Sequence, residues 1–233
     1  MTETTSITEE SNSNWNFLDY PIHTVSSKPE EVTKDFVILL IHGFGASTDH
    51  WRFNIPVLSE KVEVHAMDLL GFGKSPKPND VEYSGSLWKD QVVAYVKEKI
   101  NKPTIIVGNS LGGYAALAAG AELQNLSAGV ILLNAAGYFS EEKLVKKNML
   151  QTSIETVAGI FLKNVVLQRL IFENMRKPNT IKKTLNQVYI NKKNGDDYLV
   201  NSIRNPSLDK GAFNVFKSVF NPSGPQGEPL DEL

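Results

Sequence analysis

The 233-residue sequence predicts a doubly wound, mostly parallel α/β sheet that carries a helical insertion, and three observations point there. Apolar or β-branched runs of strand length recur at residues 36–41, 104–107 and 129–133, and residues 62–67 alternate partly, as a strand does. Stretches with helical spacing or helix-forming composition lie between them, and strands alternating with helices build parallel sheets covered on both faces. Two of the runs end in glycine-rich turns, at the carboxyl ends of strands where such sheets hold their ligands.

In chain order, residues 1–14 are polar and acidic and predict a disordered lead-in. They lack the basic start and apolar centre of a signal peptide. No run reaches the roughly 18 apolar residues of a spanning helix. The expectation is a cytoplasmic protein without a transmembrane segment. Trp15 to Leu18 and Ile22 to Val25 read as short strands, with Asp19, Tyr20 and Pro21 turning between them. Residues 36–41 are wholly apolar and read as a buried strand. Residues 49–61 carry Trp51, Phe53, Ile55, Val57 and Leu58 and read as a helix interrupted by Pro56. Residues 62–67 give the next strand. Residues 86–101 place apolar side chains at 87, 88, 92, 93, 96 and 100, a helical spacing. Residues 129–133 read as a further buried strand. The core is expected over 15–137, a helical cap over 138–220, and the start of a return to the core over 221–233.

The chemistry centres on residues 104–114. Thr104 to Val107 are β-branched and uninterrupted, as in a buried strand. Gly108-Asn109-Ser110-Leu111-Gly112 then fits Gly-x-Ser-x-Gly, and Tyr114-Ala115-Ala116-Leu117-Ala118-Ala119 favours helix. Strand, sharp turn, serine and helix together are the context of a nucleophile elbow, in which the glycines make room for the turn. The serine hydroxyl stands above the sheet edge and the first free N–H groups of the helix aim at the same point.

The composition removes several alternatives. There is no cysteine, hence no disulfide, thiolate metal site or cysteine nucleophile. No two histidines share a metal-ligand spacing, and neither metal nor cofactor is expected. The net charge of −2 argues neither for nor against a charged partner, and no nucleic-acid partner is expected. Gly73-Lys74-Ser75 imitates the end of a phosphate-binding loop, but Asp68 stands where that loop needs glycine. Residues 138–220 hold 14 Lys and Arg against 7 Asp and Glu. Such a balance fits a solvated basic face, the ordinary reading of a charge run, or contact with an acidic or membranous partner.

The sequence resembles the α/β-hydrolase superfamily. The resemblance rests on the turn from His42 to Ser47, on Asp68-Leu69-Leu70-Gly71-Phe72-Gly73-Lys74-Ser75 and on the Gly108-to-Gly113 elbow, which match in type, order and spacing. Through residues 50–56 and 221–227 it is similar to cyanobacterial and plastid members, some of which act on chlorophyll-derived esters. The resemblance implies a capped serine hydrolase acting on an ester of a small or apolar substrate. Ser110 would be the nucleophile. The backbone N–H groups of Phe44 and Leu111 would form the oxyanion hole, with His42, Gly43, Gly108 and Gly112 as supporting motif residues. The family histidine at position 42 is structural, so the base role is not given to it.

The pattern departs from the family in one respect. The triad order on this fold is serine, acid, histidine, yet His23, His42, His50 and His65 all precede Ser110. The last residues read as the opening of a helix. The sequence is therefore read as a C-terminally truncated hydrolase fold lacking its acid and base, with weak or no turnover. The alternative is a binding protein that keeps the fold without catalysis.

Overall fold

The computed structural model describes residues 15–31, 33–137, 164–220, 229–230 and 232–233. The lead-in expected over 1–14, the first part of the cap and most of the return to the core lie outside these residues.

The chain opens with a small hairpin. β1 (Asn16–Phe17) pairs antiparallel with β2 (Tyr20–Pro21). Its turn is Leu18-Asp19, both at positive φ, 50° and 64°, the geometry of a two-residue hairpin loop. The turn expected at Asp19, Tyr20 and Pro21 therefore sits one step earlier, and Tyr20 and Pro21 belong to a strand. β3 (Thr24–Ser27) then joins the main sheet.

Among the described residues that sheet has five strands in the order β3, β5 (Glu63–Met67), β4 (Val37–Ile41), β6 (Thr104–Asn109) and β7 (Ser127–Leu133). β3 is antiparallel to β5 and every other pairing is parallel. Side-chain alternation loads both faces. Leu39, Ile41 and Ile106 pack with α2 (Gly85–Tyr95) and α3 (Leu111–Leu123) in one apolar cluster, while Leu40, Val64, Ala66 and Val107 pack with Trp51 and α1 (Asn54–Ser59) in another. The sheet is thus wound on both sides, as expected.

The interrupted helix after β4 resolves into a 3₁₀ turn, Thr48–Trp51, and α1, with Pro56 in the first turn of α1, where a missing N–H costs nothing. α2 runs on into one wide turn, Val96–Ile100, ended by Asn101 at φ 47°. β7 starts two residues earlier than expected and is not buried. Ile131, Leu132 and Leu133 are 49%, 43% and 39% exposed. The reason is topological: β7 is the sheet edge among the described residues and pairs on one side only.

Among the described residues four α-helices follow: α4 (Val165–Met175), α5 (Pro178–Val188), α6 (Asp197–Arg204) and α7 (Ala212–Val219). They rest on the loops leaving the carboxyl ends of β4 and β5. α7 is joined by apolar packing, with Val215 in the larger core cluster and Phe216 against Phe44. α5 and α6 keep a small cluster of their own, Ile181, Leu185, Leu199 and Val200. Their ties to the core are polar. Arg52 pairs with Asp196 at 3.2 Å and donates to the Asn194 carbonyl at 2.8 Å, Tyr198 donates to Asp49 at 2.9 Å, and the Ser47 and Ser202 hydroxyls meet at 3.1 Å. No described helix is long and apolar enough to cross a membrane.

Candidate active site

β4 is the point where the winding reverses. The chain leaves it toward β5 on one side and later returns to β6 on the other. The carboxyl ends of β4 and β6 are therefore adjacent, with Ile41 registered on Gly108, and the residues that follow, His42-Gly43-Phe44 and Ser110, meet at one place. A methyl group built on Gly43 would lie 3.1 Å from Ser110 Cβ and 3.0 Å from Asn109 Oδ1.

Ser110 lies between β6 and α3 at φ 52° and ψ −116°. A non-glycine residue holds such a conformation only when its surroundings over-determine it, and here they do. The Ser110 N–H donates to Leu133 O at 3.1 Å, and its carbonyl accepts from Gly113 N at 2.9 Å and Ala136 N at 2.8 Å. Asn109 Nδ2 reaches the same Leu133 carbonyl at 3.1 Å. The end of β7 thus clamps the turn on both sides of the serine. The glycines serve close approach. A Cβ at Gly108 would run into Gly112 and Gly113 of α3, and one at Gly112 into the Ile41 and His42 carbonyls.

The backbone N–H groups of Phe44 and Leu111 donate to no described residue. Leu111 is the first residue of α3, where an N–H has no intrahelical partner. The Phe44 ring is fixed edge-on against Phe72 (centroids 5.7 Å apart) and Phe220 (5.1 Å). It also lines a cavity of about 100 Å³, walled by Phe72, Phe172, Met175, Val215 and Phe216 and reached by Lys77 and Arg176. Ser110 is not in that wall. Phe44 links the two places, since it follows Gly43, which lies beside the serine, and itself lines the cavity.

His42 is 1% exposed and both its ring nitrogens are used. Leu69 N–H donates to Nε2 at 3.0 Å, which makes Nε2 the acceptor and puts the proton on Nδ1, 2.7 Å from Gly43 O. Burial pushes its pKa below the usual histidine value, against the pull of Asp68 and the Gly43 carbonyl. It is a neutral strut between the two loops. His65 is spent on Tyr95 and Glu63, and His50 is held at a pKa of about 4, chiefly by burial and then by His42 and Arg52. Among the described residues no side chain hydrogen-bonds the Ser110 hydroxyl, and no group of carboxylates and histidines could hold a metal ion.

Asp68 is a site-building residue that the sequence does not reveal, standing there only as part of a motif and as the residue that rules out a phosphate-binding loop. It is fully buried, and its two carboxylate oxygens accept from Thr48 N and Lys74 N, each at 2.7 Å. Gln91 of α2, also fully buried, accepts from Leu70 N at 2.8 Å and donates to Asp68 O at 3.2 Å. Lys77 donates to Gly73 O, Ser75 O and Asp209. Together they hold the loop after β5 against the loop that carries Phe44. Only the polarity of Gln91 within an otherwise apolar helical stripe hinted at this in the sequence.

The lowered pKa values of His42 and His50 carry a pH consequence. Unfolded, each takes a proton near pH 6.5; folded, His42 resists it and His50 does so down to about 4. Their contribution to stability is whole above the unfolded value and declines as the pH falls through that window, by up to about 1.4 kcal/mol per pH unit for each. Glu63, held near 2 by its His65 and Lys102 hydrogen bonds, begins to matter only below 4.5. Melting temperatures are therefore expected to fall already between pH 6.5 and 4.5, and to fall less in His50→Gln. A flat Tm across that window would contradict this account.

Set beside known proteins, the chain belongs to the α/β-hydrolase family, whose model, described as alpha/beta hydrolase fold, matches residues 37–208. It is 28% identical over 185 residues to the chloroplastic pheophytinase of Arabidopsis thaliana, a match covering 65% of this chain and 38% of that protein. It is 34% identical over 125 residues to a 2-hydroxy-6-oxo-6-(2'-aminophenyl)hexa-2,4-dienoic acid hydrolase of Metapseudomonas resinovorans, covering 50% and 41%. The chain thus spans about two fifths of the length of these relatives. Among solved structures it resembles the meta-cleavage product hydrolase CumD of Pseudomonas fluorescens IP01, with a TM-score of 0.62, 21% identity, and 88% and 66% of the two chains covered. That likeness is one of fold.

Proposed function

We propose that this chain carries the nucleophile and oxyanion half of a serine hydrolase acting on an ester of a small or apolar substrate. The observation that carries the reading is the meeting of a strained, clamped Ser110 with two undonated N–H groups, those of Phe44 and Leu111. In this reading Ser110 Oγ attacks the ester carbonyl carbon, the carbonyl oxygen becomes an oxyanion, and the two amides receive it. Loss of one such donor typically costs about 100- to 1,000-fold in rate. The apolar cavity beside Phe44 supports an apolar substrate moiety, held under the α4–α7 segment as a cap. The Metapseudomonas resinovorans relative, named as a hydrolase, agrees with hydrolysis as the reaction class.

What the described site lacks is a base for the Ser110 proton. A serine hydroxyl is a weak nucleophile without one, so the 233-residue chain is expected to turn over weakly. Imidazole added to the solution can take that proton. The test is intact-mass measurement after incubation with a fluorophosphonate, in which Ser110 Oγ bonds to phosphorus and fluoride leaves. Labelling is expected to be slow, to quicken with added imidazole, and to be absent in Ser110→Ala. A folded chain left unlabelled even with imidazole would overturn the hydrolase reading in favour of ligand binding without turnover. Rapid labelling without imidazole, lost in Ser110→Ala, would reveal a base that the described residues do not include.

A further inference from the structure

Among the described residues Ile190 is the most exposed large apolar side chain, at 99%, and Val188 beside it is 71% exposed. Their exposure has a local cause. α5 ends at Val188, and Tyr189 is extended at φ −84° and ψ 123°, so successive side chains point opposite ways. Tyr189 turns inward onto the Ile181, Leu185, Leu199 and Val200 cluster, which leaves Val188 and Ile190 pointing out. The tip is braced: Tyr189 N donates to Leu185 O at 2.8 Å, and the Lys192 ammonium donates to the carbonyls of Asn186 and Tyr189.

The tip is also cationic. Residues 178–195 contain four lysines and no carboxylate. The two acids that follow are occupied, Asp196 by Arg52 and the Leu199 N–H, Asp197 by Lys182. Lys183, Lys192 and Lys193 face no carboxylate among the described residues. A convex apolar point among unneutralised cations suits a soft, anionic, apolar-cored surface. A folded protein would have to offer a matching concavity, whereas a lipid interface yields to the point and supplies the charge. We infer that the 188–193 tip docks the protein on anionic lipid surfaces. The sequence balance alone could not separate this from a solvated basic face; the outward apolar pair does.

The test is co-sedimentation of the full chain with phosphatidylcholine vesicles, with and without phosphatidylglycerol. It reads partitioning and no turnover, so it succeeds or fails independently of ester hydrolysis. The wild type is expected to pellet with the phosphatidylglycerol vesicles and to be released by salt. Ile190→Asp, at a site with no packing to lose, is expected to lower partitioning at least about tenfold. Lys183→Gln and Lys193→Gln are each expected to lower it about fivefold on anionic vesicles only. Equal pelleting of Ile190→Asp and wild type, or equal binding to both vesicle types, would overturn the inference. So would absence of vesicle binding together with a dimer that Ile190→Asp dissolves, which would assign the tip to a second copy of the chain.

Discussion

Gly112→Ala is expected to unfold the elbow before any chemistry can be asked of it. The new methyl group would enter the space of the Ile41 and His42 carbonyl oxygens and lie 2.8 Å from the Ile41 side chain. Overfilling a packed interior costs about 1–3 kcal/mol when side chains can shift. Here two of the three neighbours are backbone at the end of a central strand, which cannot turn aside, so the upper end applies. For a chain of this size about 3 kcal/mol lowers Tm by roughly 6–12 °C. Gly129→Ala is the matched control, because a methyl there meets nothing within 4 Å and surface changes of this kind stay within about 0.5 kcal/mol. Thermal unfolding by circular dichroism compares the two. Equal melting temperatures would mean that the close approach of α3 to β4 is not what Gly112 provides.

Asp68→Ala is expected to do comparable damage by a different route. It strands the Thr48 N–H in the interior and the Lys74 N–H at its edge. A buried donor left without a partner costs about 1–3 kcal/mol. The Lys74 donor is partly wetted and costs less, so a total of about 2–4 kcal/mol is expected, or roughly 4–16 °C in Tm. Asp68→Asn keeps one accepting oxygen but turns an amide N–H toward the other donor, and should fall between alanine and wild type. A loss under about 2 °C in Asp68→Ala, the size of an ordinary surface change, would show that water replaces the carboxylate at no cost. The loop freed by the mutation begins four residues after Phe44, so phosphonate labelling should slow along with the melting temperature.

The parts legible in the sequence were those built by near neighbours. β4, β6 and α3 announce themselves because an unbroken apolar run and an alanine-rich stretch need no distant partner to be recognised. The elbow is legible for the same reason, since the glycines that permit the turn flank the serine directly. Asp68 and Gln91 were not legible. Their meaning lies in hydrogen bonds to Thr48 and Leu70, 20 and 21 residues away in sequence, and hydrophobic periodicity carries no record of a polar partner. The burial of β7 was misjudged because an apolar strand reads the same at the centre of a sheet and at its edge. The Leu18-Asp19 turn was displaced because leucine at positive φ is a tertiary compromise that local preference does not suggest.

The mixed attachment of the four-helix segment has a physical consequence. α7 is held by apolar contact, whereas α5 and α6 are held by an ion pair and a few hydroxyl and carbonyl bonds at the rim of the loop after β4. An ion pair 3.2 Å apart at such a rim weakens as the screening length shrinks from about 10 Å at 0.1 M salt toward about 3 Å at 1 M, and apolar contact weakens on cooling instead. The two halves of one roof therefore answer to different weather: brine loosens the α5–α6 side, frost the α7 side.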